Sequence, residues 1–370
     1  MDNPKEYFPK LDKMIAKDKK EFLKLIPECN QFDKNDINKI YEALLLAQKM
    51  HAKERRKSGE PYINHPISVA SIVTKIGLDA QSTIAALLHD VPENTGYHLS
   101  EIERQFGFEV ASIVDGVTKI GKDVNEPTHE KLLSAIQKDI RVAAVKTADR
   151  FHNMYTLYAL NEKKQLEIAT ESKDFYIPIL KAFGIYEVKD ELQDLCLYYL
   201  DNDAFFKYKK IKESLEKKNN KKFNNLGEAT QNMLCRNGLA MRYKYRVKNV
   251  GSIYEDVQKG AEIKDIKDLL AIKMIVDDYS ACYQTLGIVH NIGSCMNKVE
   301  DYIATPKGDG YKSLNTNIMY KDSEIQVRIR TKQMQEVNDL GIFANWDGAN
   351  QNRVSETMIK ELSKLSKNKR

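Results

Sequence analysis

Over residues 1–205, apolar positions recur at three- and four-residue spacing, the period of one face of a helix. The segments INKIYEALLLAQKMHAKERRK, HPISVASIVTKIG, STIAALLHDV, EIERQFGFEVASIVDGV, HEKLLSAIQKDIRVAAVKTADRFHNMYTLYAL and FYIPILKAFGIYEVKDELQDLCLYYL each read as amphipathic or buried helix. SGEPY, PENTG and GKDVNEP punctuate them. The polar run KKNNKKFNNLGEATQN suggests a helix end followed by a linker, placed at 206–231. Beyond it the period changes. KYRVKNV, LLAIKMIVDD, LNTNIMYKD and EIQVRIRT carry β-branched residues with partial alternation and predict strands, with SIYEDVQKG and ACYQTLGIVHNIG as helices between them. The expectation is a multidomain chain: an all-α domain over 1–205, a linker, an α/β (α+β) domain with a small sheet over 232–350, and a polar, Lys-rich tail at 351–370.

Composition narrows this picture only modestly. With 370 residues, 42% of them hydrophobic and 30% charged, the chain affords two real cores and a soluble surface. A net charge of +5 permits an anionic ligand without requiring a nucleic-acid polymer. No apolar stretch approaches the roughly 20 residues that span a bilayer, and MDNPKEYFPKLDKM lacks an apolar signal core. The expected location is cytoplasmic, with no membrane partner. Cys29, Cys196, Cys235, Cys282 and Cys295 form no CxxC pair, which fits a reducing compartment.

Candidate chemistry concentrates in three short motifs: HP at 65–66, HD at 89–90 and KTADRFHNM at 146–154. His65, His89, Asp90 and Asp149 together offer two imidazoles and two carboxylates, a mixed N/O set that suits Mn²⁺, Fe²⁺ or Mg²⁺. A metal-lowered water pKa makes phosphoester or pyrophosphate hydrolysis the natural use. Glu93, four residues after His89, is placed to orient or deprotonate water. Arg56, Lys57 and Ser58 form a donor cluster suited to a phosphate-rich substrate. His51, His98, His129 and His290 lack a partner pattern and read as structural or surface residues; His152 stays open.

HAKERRKSGEPYINHP, AALLHDVPENT, FGFEVASIVDGVTKI and DIRVAAVKTADRFHNMYTL resemble the HD hydrolase domain of the RelA/SpoT homologue family, which makes and destroys the alarmone (p)ppGpp. The resemblance extends over about residues 40–350. It implies a Mn²⁺ enzyme that removes the 3′-pyrophosphate from ppGpp or pppGpp, leaving GDP or GTP. It further implies His65, His89, Asp90 and Asp149 as metal ligands, Glu93 and the neighbouring Asn94 at the water-activating positions, and Arg56, Lys57, Ser58, Asn153 and Thr156 as substrate contacts. Asn94 departs from the family's HDxxED pattern, and an amide orients water without taking its proton.

YRVKNVGSIYEDV, DIKDLLAIKMIV, CYQTLGIVH, DYIATPKGDGYKSLNT and QVRIRTKQM resemble the same family's nucleotidyltransferase-like synthetase domain, which transfers pyrophosphate from ATP to GDP or GTP. By that resemblance Arg246, Lys248 and Lys307 would bind phosphates, Asp268 would hold Mg²⁺, and Tyr311 would stack on guanine. Yet the family's ExQIRT reads QVRIRT, so Gln326 replaces the catalytic Glu and Arg328 replaces a Gln. Asn315, Asn345, Lys273 and Asp256 also depart from the pattern. Glu324 is a substitute carboxylate only if the strand slips. The expectation is a catalytically silent pseudo-synthetase that retains GDP or GTP binding and tunes the hydrolase. The chain ends soon after Trp346, so the resemblance implies a short member without the family's regulatory modules. The rivals are a non-enzymatic alarmone binder, a bifunctional enzyme with weak synthesis, and a hydrolase for another 3′-phosphorylated nucleotide.

Overall fold

Two compact units meet in sequence between Ala182 and Phe183, the first helical and the second built on a sheet. The structure, a computed structural model, describes residues 4–118, 125–296, 298–307 and 310–344. Asn345, Trp346 and the polar tail at 351–370 lie outside the described residues. Among those described, no helix is long and apolar enough to cross a membrane.

The helical unit is organised around the helix Ala80–Leu88. Every residue of it except Gln81 is buried, and it packs against the helices Lys34–Met50, Asn64–Lys75 and Phe108–Val117. Its apolar run explains this: a helix that is hydrophobic on all sides belongs inside. Ile84, Leu87 and Leu88 each contribute about 1.5–3 kcal/mol by leaving water. One polar knot fixes where the helix starts. Asp79 caps it, accepting from Ser82 N at 2.8 Å, and its other oxygen receives the buried Arg141 at 2.9 Å. Arg141 opens the helix Arg141–Tyr155 and also binds Asp139 and Glu109. Two of the helices that position metal-ligand candidates are thereby tied together.

Among the described residues, the sheet unit holds six strands: β1 Met241–Val247, β2 Leu270–Val276, β3 Ser294–Cys295, β4 Glu300–Asp301, β5 Leu314–Tyr320 and β6 Ser323–Thr331. Their order is β1-β2-β6-β5-β3, with β4 on β5. β2 and β6 run parallel, and the other pairs are antiparallel. Ile325, Val327 and Ile329 of β6 are fully buried, while the residues between them line the opposite face.

Two expected boundaries need correction. The linker at 206–231 is instead the interior of a 35-residue helix, Asn202–Arg236. Its buried residues Phe205, Tyr208, Asn219, Phe223, Leu226, Thr230 and Leu234 keep helical spacing beneath the Lys- and Asn-rich solvent faces. Gly227 is a packing residue there: a Cβ would lie 2.4 Å from the Tyr243 ring. The helical domain also ends earlier than 205. Helix Tyr186–Leu200 packs on the helices Val250–Gln258 and Lys332–Leu340 of the sheet unit. Helical texture on both sides of position 183 hid that boundary.

Candidate active site

Three segments of the helical unit converge on one point. His65 lies in the first turn of Asn64–Lys75, and Asp149 lies midway along Arg141–Tyr155. His89 and Asp90 do not share a helix: His89 ends Ala80–Leu88, and Asp90 starts the short helix Val91–Asn94. Asp90 Oδ2 is 3.5 Å from His65 Nε2 and 3.3 Å from His89 Nε2. Asp149 Oδ1 is 3.3 Å and 3.8 Å from the same two nitrogens. One donor atom each of His65, His89 and Asp149 falls within 4.8 Å of the others.

These donors suit a divalent ion. Atoms bound about 2.1 Å from a shared ion lie roughly 3.0–3.5 Å apart. His89 Nδ1 is 2.8 Å from the Ala86 carbonyl, which only accepts, so Nδ1 carries the proton and Nε2 offers a lone pair. That Nε2 is buried with no hydrogen-bond partner. His65 Nδ1 meets His152 Nδ1 at 2.8 Å, leaving Nε2 toward the carboxylates. Burial lowers the His65 pKa to about 4, so the ring is neutral, the form a metal binds. Burial opposes charge on Asp149, but the Lys146 ammonium 3.1 Å away, together with His65 and His89, outweighs it and holds the carboxyl well below its ordinary pKa. Burial likewise opposes charge on Asp90, and the neighbouring His89 and His65 reverse the shift downward.

Around this centre lies a cleft of about 680 Å³, and every hydrolase-site residue expected from the sequence except His89 lines it. Arg56 donates to Asn153 Oδ1 at 2.9 Å and to Thr156 Oγ1 at 3.2 Å. Asn153 in turn donates to Asp149 Oδ1 at 2.5 Å. Lys57 and Ser58 are exposed on the rim, and Ser58 binds Glu60. Glu93 and Asn94 stand at the exposed mouth. Asn94 reaches the centre indirectly, donating to the Tyr62 hydroxyl at 2.9 Å.

Several residues of this site escaped the sequence reading. Tyr62 donates to Asp90 Oδ2 at 2.7 Å. Lys146, His152 and the Arg150–Glu171–His129 chain also belong to the site or its wall. A signal existed for one of them. Lys146 precedes Asp149 on the helix Arg141–Tyr155 by the three residues that bring helical neighbours together.

In the sheet unit, Arg246, Lys248, Asp268 and Gln326 come together, but around a cation of the chain itself. Arg328 Nε donates to Gln326 Oε1 at 2.6 Å, and its NH2 donates to Asp268 Oδ2 at 3.0 Å. Asp268 also receives Lys248 at 2.7 Å and Arg246 at 3.6 Å. The expected Mg²⁺ ligand is therefore ion-paired by side chains. Asp256 adds a second carboxylate on Lys248, at 2.7 Å. Glu324 turns elsewhere and accepts from Asn317 at 2.7 Å. Tyr311 and Lys307 form a neighbouring group: the Lys307 ammonium lies 4.9 Å from the Tyr311 ring centre, and Arg330 donates to the Tyr311 hydroxyl at 2.6 Å.

Comparison with known proteins matches two family models, an HD domain over residues 43–186 and the region found in RelA/SpoT proteins over 245–353. A GTP pyrophosphokinase of Myxococcus xanthus is 36% identical over 334 residues, covering 86% of this chain and 44% of the relative. A guanosine-3′,5′-bis(diphosphate) 3′-pyrophosphohydrolase of Haemophilus influenzae is 36% identical over 312 residues, covering 82% and 46%. The chain thus spans less than half the length of these relatives. Among solved structures, a metazoan orthologue of SpoT that hydrolyses ppGpp aligns with TM-score 0.32 and 24% identity, over 46% of this chain and 95% of that one. Small alarmone synthetase 2 of Bacillus subtilis aligns with TM-score 0.29 and 23% identity, over 45% and 90%.

Proposed function

Because the chain belongs to the RelA/SpoT homologue family, we propose that it is a Mn²⁺-dependent (p)ppGpp 3′-pyrophosphohydrolase whose sheet domain is catalytically silent. The observation that carries the hydrolase reading is the convergence of His65, His89 and Asp149 within 4.8 Å, with Asp90 beside them. A bound divalent ion would supply a low-pKa water and neutralise charge on the 3′-phosphate. The chain's own groups do the rest. Arg56, Lys57, Ser58, Asn153 and Thr156 hold the nucleotide at the cleft rim. Glu93, exposed at the mouth, takes the proton of the attacking water. The water oxygen bonds to the phosphorus next to the 3′-oxygen, the bond from that phosphorus to the 3′-oxygen breaks, and the 3′-oxygen takes a proton from solvent and leaves as a hydroxyl, giving GDP or GTP and pyrophosphate. Asn94 acts through Tyr62 and takes no proton from the water.

Silence of the sheet domain is supported by Gln326, which offers no negative charge to Mg²⁺ and cannot accept the proton of an attacking hydroxyl. Its carbonyl oxygen is already taken by Arg328.

The test is incubation of the purified chain with ppGpp and Mn²⁺, products being resolved by ion-exchange chromatography. GDP and pyrophosphate are expected, and they disappear on chelation and in His89→Ala. Binding of ppGpp without turnover would overturn the enzyme reading in favour of an alarmone sensor.

A further inference from the structure

The sheet unit carries an unusual charge arrangement on one face. Alternation along β1 puts Arg242, Lys244 and Arg246 opposite the side that holds Met241, Tyr243, Tyr245 and Val247. Register then aligns Lys244 with Lys273 of β2, and Lys273 with Arg328 of β6. Arg330 continues the same face one step along, opposite Ile275. Three adjacent strands therefore present six cations on one face, with Glu324 as their one carboxylate there. Like charges directly opposed across strands are destabilising unless an anion offsets them.

Part of the offset comes from outside the sheet. Asp268 reaches Arg328, Lys248 and Arg246, and Asp339 lies 3.7 Å from Lys273. Asp268 does so from the left-handed backbone region, φ 54°, which a non-glycine residue seldom occupies. The offset is incomplete. Burial lowers the pKa of Arg246, Lys273 and Arg330, and like-charged neighbours (Arg328 beside Arg246 and Arg330, Arg330 and Arg246 beside Lys273) push the same way.

We propose that this face is a metal-independent oligophosphate site, with the Arg328 guanidinium standing between Gln326 and Asp268 as a built-in cation. The inference rests on the sheet domain being silent, as proposed above, and goes beyond it by naming what the face binds and how. Lys244 and Lys273 take the phosphate oxygens, while Arg328 supplies the charge that a free divalent ion would otherwise bring. Arg suits this role because its planar fork spans two acceptors and keeps its charge. The shared chemistry is a chain of two or three phosphates, from a nucleoside polyphosphate or from inorganic tripolyphosphate.

The experiment is calorimetric titration of the full chain with GTP in EDTA, where metal-dependent hydrolysis is off, so the result is independent of the hydrolase reading. We expect binding in EDTA that changes little when Mg²⁺ is added. Arg328→Gln should weaken it about tenfold, the scale of one lost charge-assisted hydrogen bond, with a circular-dichroism melt confirming the fold. The exposed Lys244→Gln should weaken it and reduce its salt dependence, whatever Arg328→Gln does to folding. Arg56→Ala, in the helical unit's cleft, should leave this binding in place. Tripolyphosphate should displace GTP. Binding that requires Mg²⁺, that is lost in Arg56→Ala but kept in Arg328→Gln, or that tripolyphosphate cannot displace, would overturn the proposal.

Discussion

The Tyr62 hydroxyl sits between Asn94 and Asp90, accepting from the amide at 2.9 Å and donating to the carboxylate Oδ2 at 2.7 Å. A phenol has one proton to give. With a carboxylate at position 94, Tyr62 would have two acceptors competing for it; with Asn94, the amide donates and Tyr62 commits its proton to Asp90. Tyr62→Phe therefore frees Asp90 to rotate away from the metal centre. Outer hydrogen bonds of this kind are worth about 10–100-fold in metal affinity. Calorimetric titration of Tyr62→Phe with Mn²⁺ should show a loss in that range, and an unchanged affinity would remove Tyr62 from the metal site.

Lys146 is the buried counter-charge of Asp149, with both side chains about nine-tenths or more covered. Removing one member of a buried ion pair strands the other and costs about 3–5 kcal/mol. Lys146→Met should lower the thermal stability of the metal-free protein accordingly. It should also enlarge the stabilisation that Mn²⁺ provides, because the ion then compensates the stranded carboxylate. Thermal unfolding with and without Mn²⁺ checks both, and equal metal-induced shifts in variant and parent would refute the pairing.

How far these elements could be read in advance depended on how local their cause is. The HP, HD and KTADRFHNM motifs place His65, His89, Asp90 and Asp149 because each candidate ligand sits in a short stretch of regular helix or at its end. Tyr62 was invisible as a site residue because its role depends on Asp90, 28 residues away. The helix through 206–231 reads as a linker in sequence because its Lys and Asn residues face solvent, and local polarity outweighs a sparse apolar stripe. Gln326 and Arg328 were legible as departures from a pattern. That Arg328 bridges Gln326 to Asp268 was not, since it needs the parallel pairing of β2 with β6.

Glu171 supplies a pH dependence whose sign can be worked out. Burial opposes its charge, but His129 at 2.9 Å and Arg150 at 2.8 Å win and bring its pKa from 4.5 down to about 2. The unfolded chain therefore binds a proton more readily than the folded one. The contribution is complete above pH 4.5 and is lost as pH falls toward 2. At about 1.4 kcal/mol per pKa unit it amounts to about 3 kcal/mol. Glu171→Gln should lose stability at neutral pH and flatten the acid limb between pH 4.5 and 2 in denaturant titrations. A parallel, undiminished limb in the variant would assign the acid sensitivity to other carboxylates.

Restoring the family's carboxylate at position 326 should not by itself restore synthesis. In Gln326→Glu the new carboxylate would meet Arg328, whose Nε already lies 2.6 Å from the Gln326 oxygen, and the two would form an ion pair. Asp268 would remain bound to Arg328, Lys248 and Arg246. A divalent ion would have to displace a guanidinium held by two acceptors. The single variant should thus stay at background in an assay of pyrophosphate transfer from ATP to GTP, and should bind Mg²⁺ no better than the parent. In Gln326→Glu combined with Arg328→Gln, the guanidinium is gone and two carboxylates face each other, with Lys248 and Arg246 still on Asp268 and no cation on the new carboxylate. Magnesium binding by titration should then appear, whether or not transfer follows. Activity in the single variant would mean that Arg328 yields its place readily, and that Gln326 alone accounts for the silence proposed for the parent.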